Sequence, residues 1–133
     1  MAGRLAYVDT SAFVKLVLGE DEAGALRKEL TRWDGHVASR LLRTEAIRAC
    51  SRYGRSYAEL AERASKALAL IPLDEAVLDR AAELEPAELS TLDALHLATA
   101  LSLGDDLGAM LVYDSRLAEA ARGAGLTVLA PSD

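Results

Sequence analysis

The sequence predicts an α/β fold, a three-layer α/β/α sandwich built around a mainly parallel sheet. Five short apolar runs have the length of buried strands. At least one helical segment separates each run from the next, and no two runs are close enough to form a hairpin. Since parallel strands require such crossovers, we expect a single domain over residues 1–133, with helices covering both faces of the sheet.

The strands are recognised as apolar runs that end at turn residues or at residues typical of helix starts. The first, Leu5–Val8, contains a β-branched and an aromatic residue and ends directly at Asp9. The strongest, Ala109–Tyr113, ends directly at Asp114. The predicted strands cover residues 5–8, 36–38, 70–73, 109–113 and 126–129.

The helices are predicted from apolar residues at helical spacing and from cap residues at their ends. Gly19 terminates the first helix, and Ser39 is a suitable N-cap for the third. Pro86 ends the fifth, and Ser90 with Asp93 has the spacing of a capping box at the start of the sixth. The predicted helices cover residues 11–18, 20–33, 40–53, 56–68, 74–85, 90–100 and 115–121.

The overall composition is that of an ordinary globular chain, with 51% hydrophobic and 27% charged residues. A net charge of −6 lacks the basic footprint of a dedicated nucleic-acid binder, unless some of the acids serve as metal ligands. Cys50 is the only cysteine, which rules out an internal disulfide and suits a reducing compartment. Residues 1–4 lead directly into the first strand, so we expect no secretory signal, no membrane association and a cytoplasmic location.

Four acidic residues are predicted to converge on one edge of the sheet. Asp9 and Asp114 each follow a strand, Asp93 lies in the first turn of a helix, and Glu45 is early in the helix after the second strand. The carboxyl ends of parallel strands share an edge, which is where open α/β sheets bind ligands. Each acid also has a structural explanation: Asp9 and Asp114 as caps, Asp93 in the capping box and Glu45 as a solvated side chain. One shared site explains all four together.

Electrostatics restricts what such a site contains. Two carboxylates about 4 Å apart repel by roughly 4 kcal/mol at an effective dielectric constant of about 20. A cation relieves this repulsion, and oxygen ligands without a cysteine or a histidine pair select Mg²⁺ or Mn²⁺. Such an ion generates a nucleophile from water and neutralises charge on a phosphoryl group. We expect Thr10 or Ser11 to cap the first helix, which would leave the Asp9 carboxylate free to point into the acidic pocket.

Two further features have a structural and a functional interpretation. His36 lies at the edge of a turn and is expected to be a surface or structural residue. Arg48, Arg52 and Arg55 follow one another at helical spacing and form a basic ridge. This ridge is either a solvated face, which we favour slightly, or a contact for phosphates or a partner protein.

The sequence resembles a known family, the PIN-domain ribonucleases, and specifically the VapC-like toxins of bacterial toxin–antitoxin pairs. The resemblance covers nearly the whole chain, and four elements in this order make it specific. These elements are Tyr7-Val8-Asp9-Thr10-Ser11-Ala12, Glu45, Leu92-Asp93-Ala94-Leu95-His96-Leu97-Ala98 and Val112-Tyr113-Asp114-Ser115-Arg116-Leu117.

The resemblance implies a PIN-like fold and an acidic metal site. Asp9 and Asp93 would be the most direct ligands, while Asp114 and Glu45 would hold the ion or orient water. Thr10 or Ser11 would add supporting hydrogen bonds. The resemblance also implies that the protein cuts RNA within the strand, forms a homodimer and is inhibited by a cognate antitoxin whose tail occludes the active site.

Two positions in the matching motifs need comment. His96 follows Asp93 by nearly one helical turn, and we interpret it as a packing or hydrogen-bonding residue. Many relatives carry threonine two positions before the last aspartate, where this chain has Val112. This departure puts a supporting hydroxyl in doubt and leaves the metal site intact.

Two alternative functions are considered. A phosphohydrolase of the haloacid dehalogenase type also begins with a strand that ends in aspartate, but its chemistry needs a second acid two residues later. That position holds Ser11. A catalytically inactive PIN-like module that only binds a partner is the other alternative, and the retention of all four acids argues against it.

Overall fold

The computed structural model describes residues 3–133 and contains a five-stranded, entirely parallel sheet. The strands are β1 (Leu5–Val8), β2 (Gly35–Ser39), β3 (Ala69–Ile71), β4 (Leu107–Leu111) and β5 (Val128–Leu129). The helices are α1 (Thr10–Leu18), α2 (Ala23–Leu30), α3 (Leu41–Ser51), α4 (Arg55–Ser65), α5 (Glu75–Glu83), α6 (Thr91–Leu101) and α7 (Ser115–Gly123). The predicted α/β/α sandwich with a parallel sheet is therefore confirmed.

The sheet order is β3-β2-β1-β4-β5, so the first strand of the chain lies in the centre. β1 pairs with β2 on one side and with β4 on the other, where Val8 lies beside Leu111. Because all five strands run in the same direction, their carboxyl ends form one edge, and α1, α3 and α7 begin near it.

The side chains of β1 alternate between two hydrophobic clusters, as a strand buried on both faces requires. Ala6 and Val8 pack with residues of α1, α3 and α4 on one face of the sheet. Tyr7 packs with residues of α6 and α7 on the other face. Cys50 is fully buried in the first cluster, where it acts as a small apolar residue.

Several predicted boundaries were wrong by two or three residues. α2 ends at Leu30 and not at Trp33, although the Trp33 indole donates a hydrogen bond to Glu29 four residues earlier. β4 ends at Leu111, two residues before the predicted end, so Asp114 does not directly follow a paired strand residue. Val112 is nonetheless buried, and its amide donates a hydrogen bond to the Leu129 carbonyl at 3.1 Å, so the apolar run continues beside β5 past the end of β4.

Met1 and Ala2 lie outside the described residues. They belong to the segment that was expected to contain no secretory signal. Gly19 ends α1 with a φ of 68°, a left-handed conformation that glycine adopts without strain. None of the helices between residues 3 and 133 combines the length and the apolar character needed to cross a bilayer.

Candidate active site

Asp9 lies at the end of the central strand and is 4% exposed. Its Oδ2 accepts hydrogen bonds from the backbone amide of Ser11, at 3.1 Å, and from the Ser11 hydroxyl, at 2.6 Å. Asp9 is thus the N-cap of α1, and the prediction that Thr10 or Ser11 would free it from that role was wrong. The reason is geometric: Asp9 has the extended backbone of a cap residue, so its short side chain reaches the amide two residues ahead.

Capping occupies only one of the two carboxylate oxygens of Asp9. The other, Oδ1, lies 3.8 Å from Nδ1 of His96. Ser11 holds this arrangement from the other side, since its hydroxyl oxygen also accepts a hydrogen bond from the Tyr113 amide at 2.9 Å. The Asp9 side chain therefore caps α1 and also faces His96, and Ser11 ties Asp9 to the loop that carries Asp114.

Glu45 projects from the second turn of α3 toward the same edge. Its Oε1 accepts a hydrogen bond from the Thr10 hydroxyl at 2.8 Å and lies 2.6 Å from Nε2 of His96. Burial alone would raise the pKa of Glu45. The hydrogen bond from His96, the charge of His96 and the hydrogen bond from Thr10 outweigh burial, so the pKa of Glu45 is lowered. Glu45 is therefore a carboxylate at neutral pH, with Oε1 fixed in place.

His96 is buried at the centre of this network. Its Nδ1 lies 2.7 Å from the Tyr7 hydroxyl, which also accepts a hydrogen bond from the backbone amide of Ser39 at 3.2 Å. When the ring is neutral, donor and acceptor accounting gives one arrangement, in which the Tyr7 hydroxyl donates to Nδ1 and Nε2 donates its proton to Glu45. The interpretation of His96 as a hydrogen-bonding residue agrees with these contacts.

The charges around His96 also bear on its protonation. Burial lowers its pKa, but the hydrogen bond to Glu45 and the negative charges of Asp9, Glu45 and Asp93 outweigh burial, so the pKa is raised. The pKa of Tyr7 is raised as well, first by burial and then by the charge of Asp9. Tyr7 thus remains a neutral donor across the physiological pH range.

Asp93 and Asp114 form the more open part of the edge. Asp93 lies in the first turn of α6, where its backbone amide donates to the Ser90 hydroxyl at 3.2 Å. Asp114 is exposed and is the N-cap of α7, with Oδ1 accepting from the Leu117 amide at 3.0 Å. Burial raises the pKa of Asp93, and the charges of Asp114 and Asp9 raise it further. The three aspartates, from three separate elements, are therefore within electrostatic range of one another.

The donor set was tested for its fit to a metal ion. Between residues 3 and 133, no three His, Cys, Asp or Glu side chains are close enough to form a ready-made ligand cluster. The chemistry of the donors nevertheless suits a hard divalent cation, because the groups that meet here are carboxylate oxygens. Burial and then the charges of Asp114 and Asp9 raise the pKa of Asp93, and a bound cation would favour the charged carboxylate again. The residues therefore fit such an ion.

Sequence reasoning missed two members of this site, Tyr7 and Ser39. Tyr7 was recognised only as a residue of a buried strand, and Ser39 only as a helix cap. A signal for Tyr7 was present, since a buried tyrosine hydroxyl needs a hydrogen-bond partner. His36, by contrast, contacts the Leu30 carbonyl at 2.7 Å through Nε2 and has the structural role expected of it.

Comparison with known proteins identifies the family. Residues 6–123 match the PIN domain family. The chain belongs to the PIN-domain family. The resemblance recognised in the sequence motifs is therefore confirmed, and the PIN match disfavours the haloacid dehalogenase alternative.

The similar proteins carry the name VapC and come from Mycobacterium tuberculosis. Ribonuclease VapC46 of strain H37Rv is 47% identical over 126 residues, covering 95% of this PIN domain chain and 97% of the relative. Ribonuclease VapC47 of strain CDC 1551 is 38% identical over 130 residues, covering 94% and 96%. Ribonuclease VapC35 of the same strain is 37% identical over 133 residues, also covering 94% and 96%. The chain is thus a VapC-like member of the PIN family along nearly its whole length.

Proposed function

We propose that this PIN domain is a metal-dependent endoribonuclease and the toxin of a toxin–antitoxin pair. The observation that carries the proposal is that carboxylates from separate elements meet around one histidine: Oδ1 of Asp9 lies 3.8 Å from Nδ1 of His96, and Oε1 of Glu45 lies 2.6 Å from its Nε2. The membership of a family whose similar members are named ribonucleases supports the same reaction. The bond cut is a phosphodiester, hydrolysed by water.

Asp9, Asp93 and Asp114, together with Glu45, would hold Mg²⁺, with Mn²⁺ as a substitute of the same coordination preference. Such an ion, when bound, lowers the pKa of a water molecule and stabilises the negative charge that develops on the phosphoryl group. The chain itself fixes where the carboxylates point. Ser11 holds the Asp9 carboxylate through Oδ2 and leaves Oδ1 facing His96, with Nδ1 at 3.8 Å.

Glu45 is the residue best placed to orient the attacking water and to take up its proton. Its Oε1 is held by Thr10 and His96, and Oε2 makes no hydrogen bond to any side chain in residues 3–133. The lowered pKa keeps Glu45 ionised and therefore able to accept a hydrogen bond from water. Thr10 and His96 position Glu45, and Tyr7 in turn positions His96.

The partners follow from the same proposal. RNA is the substrate, a cognate antitoxin protein is the inhibitor, and the active unit is a homodimer. A cytoplasmic location, where Cys50 would persist as a thiol, belongs to the proposal too. A catalytically inactive binding module is the competing function, and the ionised, doubly held Glu45 argues against it.

The test compares the wild type with Asp9→Asn and Asp93→Asn on a structured RNA, in Mg²⁺ and in EDTA. We expect the wild type to cut the RNA only with Mg²⁺, and each variant to lose at least about 100-fold of that rate. Asp79→Asn is the matched control, because it makes the same chemical change at an exposed position of α5.

Each alternative predicts a different result in this experiment. Cleavage by both aspartate variants at the wild-type rate would contradict the proposed site. Cleavage of DNA with no cleavage of RNA would preserve the site and overturn the substrate. If the wild type cuts neither RNA nor DNA and shows no Mn²⁺ binding that depends on Asp9, the protein is a catalytically inactive binding module.

A further inference from the structure

A basic and aromatic surface lies on α3 and on the turn into α4. Residues 40–57 contain five arginines and a single acid, Glu45, and so carry a net charge of +4 in a chain whose total is −6. All five arginines are exposed. Within residues 3–133, Arg43 is the one of the five that forms an ion pair, with Glu62 at 3.5 Å. The α3–α4 surface is defined here as Arg48, Arg52, Tyr53, Arg55 and Tyr57.

The spacing along α3 connects this surface to the acidic edge. Glu45, Arg48 and Arg52 are at positions i, i+3 and i+7, which share one face of a helix. Along the helix axis, Arg48 lies about 4.5 Å and Arg52 about 10.5 Å beyond Glu45. The two arginines therefore extend the face that carries Glu45 away from the carboxylates. Arg43 lies on the other flank of α3, beside α4.

The aromatic residues of the surface are unusual in their exposure. Tyr53 is 66% exposed and Tyr57 is 38% exposed. The other two tyrosines, Tyr7 and Tyr113, are at least partly buried, and their hydroxyls bond to His96 and to the Pro131 carbonyl. In the part of the chain that the structure describes, the large exposed aromatic side chains are thus confined to the basic segment.

We propose that the α3–α4 surface binds single-stranded RNA beside the bond that is cut at the acidic edge. Arg48, Arg52 and Arg55 would contact phosphates, and the rings of Tyr53 and Tyr57 would stack on unpaired bases. This inference rests on the proposed ribonuclease function and names the surface that holds its substrate.

Charge explains why the substrate needs such a surface. A polyanion that approaches four carboxylates on a chain of net charge −6 is repelled unless cations compensate nearby. A stripe of unpaired arginines on the same helix face as Glu45 supplies that compensation next to the site. Unstacked bases explain the exposed tyrosines, which phosphate binding alone does not require.

The test measures binding of a labelled single-stranded RNA of about 20 nucleotides in EDTA, over a range of salt concentrations. We expect the double variant Arg48→Gln, Arg52→Gln to weaken RNA binding by at least about tenfold. The slope of the logarithm of the binding constant against the logarithm of the salt concentration should fall in magnitude by about 1.4, which is about 0.7 for each lost phosphate contact. Arg48→Lys with Arg52→Lys should restore most of both. Tyr53→Ala with Tyr57→Ala should weaken binding by at least about fivefold and leave the slope unchanged.

The matched control is Arg43→Gln with Arg63→Gln, which removes the same charge from exposed positions outside the α3–α4 surface. This control should bind RNA like the wild type. If the control loses as much RNA affinity as the Arg48/Arg52 variant, only net charge matters, and the inference is overturned. Wild-type RNA affinity in the Arg48/Arg52 variant would overturn it too, and a selective loss of antitoxin binding would identify a protein interface instead.

The readout is separate from catalysis. Binding is measured without metal, so a wild type that binds RNA through this surface but never cuts it in Mg²⁺ would contradict the proposed function alone. A wild type that cuts RNA while the Arg48/Arg52 variant binds normally would contradict the surface alone.

Discussion

The two halves of the candidate active site differ in how firmly the fold holds them. In the inner half, Asp9 and Glu45 are at least partly buried and are held by Ser11, Thr10 and His96. In the outer half, Asp114 is exposed and Asp93 is partly buried, and their charges repel each other. The comparison shows that the fold aims the inner carboxylates through hydrogen bonds, whereas burial and the nearby carboxylates disfavour the charged form of Asp93 in the outer half.

The largest expected effect tests whether Asp9 is needed for RNA cleavage as well as for capping α1. Asp9→Asn and Asp9→Ala should both lose at least about 100-fold of RNA cleavage in Mg²⁺, because neither keeps the negative charge. Only Asp9→Ala should lower the free energy of unfolding, by about 0.5–2 kcal/mol, because asparagine can still cap α1. Cleavage assays and urea denaturation measure the two effects. Active Asp9→Asn protein would show that Asp9 is only a cap.

The next effect tests whether His96 acts by positioning Glu45. Glutamine can place an amide donor near the location of Nε2, whereas asparagine reaches only as far as Nδ1. We therefore expect His96→Asn to lose about 10- to 100-fold in Mn²⁺ affinity and cleavage, and His96→Gln to retain most of both. Calorimetry and cleavage rates provide the readouts. If the two variants lose equally, His96 serves packing and not the orientation of Glu45.

A smaller effect is expected at Asp114 in the outer half. Asparagine keeps the cap on α7, so Asp114→Asn should leave thermal stability nearly unchanged and reduce cleavage by about tenfold. Asp74→Asn is the matched control, since Asp74 caps α5 in the same way through the Val77 amide at 2.9 Å and lies outside the site. A loss of activity in the control as large as that in Asp114→Asn would remove the evidence for a role of Asp114 beyond capping.

The smallest effect is the dependence of stability on pH through Asp93. Its pKa is raised above the ordinary value of 3.8, so the folded state binds this proton more tightly than the unfolded state. The resulting stability is fully present below pH 3.8 and is lost as the pH rises through the raised pKa. In EDTA, Asp93→Asn should therefore melt at a higher temperature than the wild type at neutral pH, and the difference should shrink in acid. Melting curves that show no such convergence would argue against the repulsion.

Much of the fold was predictable because hydrophobic periodicity reports burial directly. The seven helices and five strands follow in the predicted order. The errors arose at element ends, where packing and single hydrogen bonds continue past the regular structure: the Val112 amide bonds to the Leu129 carbonyl beyond the end of β4, and Trp33 contacts Glu29 beyond the end of α2. The strand order was not predictable, since it depends on which crossovers return to which side of β1.

The positions of the four acids near one edge were predictable, because Asp9, Asp93 and Asp114 lie at the start of helices there; that the four acids, Glu45 included, form one site stays a prediction. The network that holds them was not predictable. Tyr7 and His96 are 89 positions apart, and no local spacing indicates their contact. The sequence also presented cap and ligand as alternatives for Asp9, whereas capping uses Oδ2 alone and Oδ1 makes a separate contact with His96.

One measurement tests the central claim, that these carboxylates form a single metal site, most directly. Mn²⁺ is titrated into the metal-free wild type, Asp9→Asn, Asp93→Asn and the control Asp79→Asn by calorimetry, with no RNA present. The account predicts binding by the wild type and by Asp79→Asn, and a loss of at least about tenfold in affinity in each of the other two variants. Equal Mn²⁺ affinity in all four proteins would contradict it.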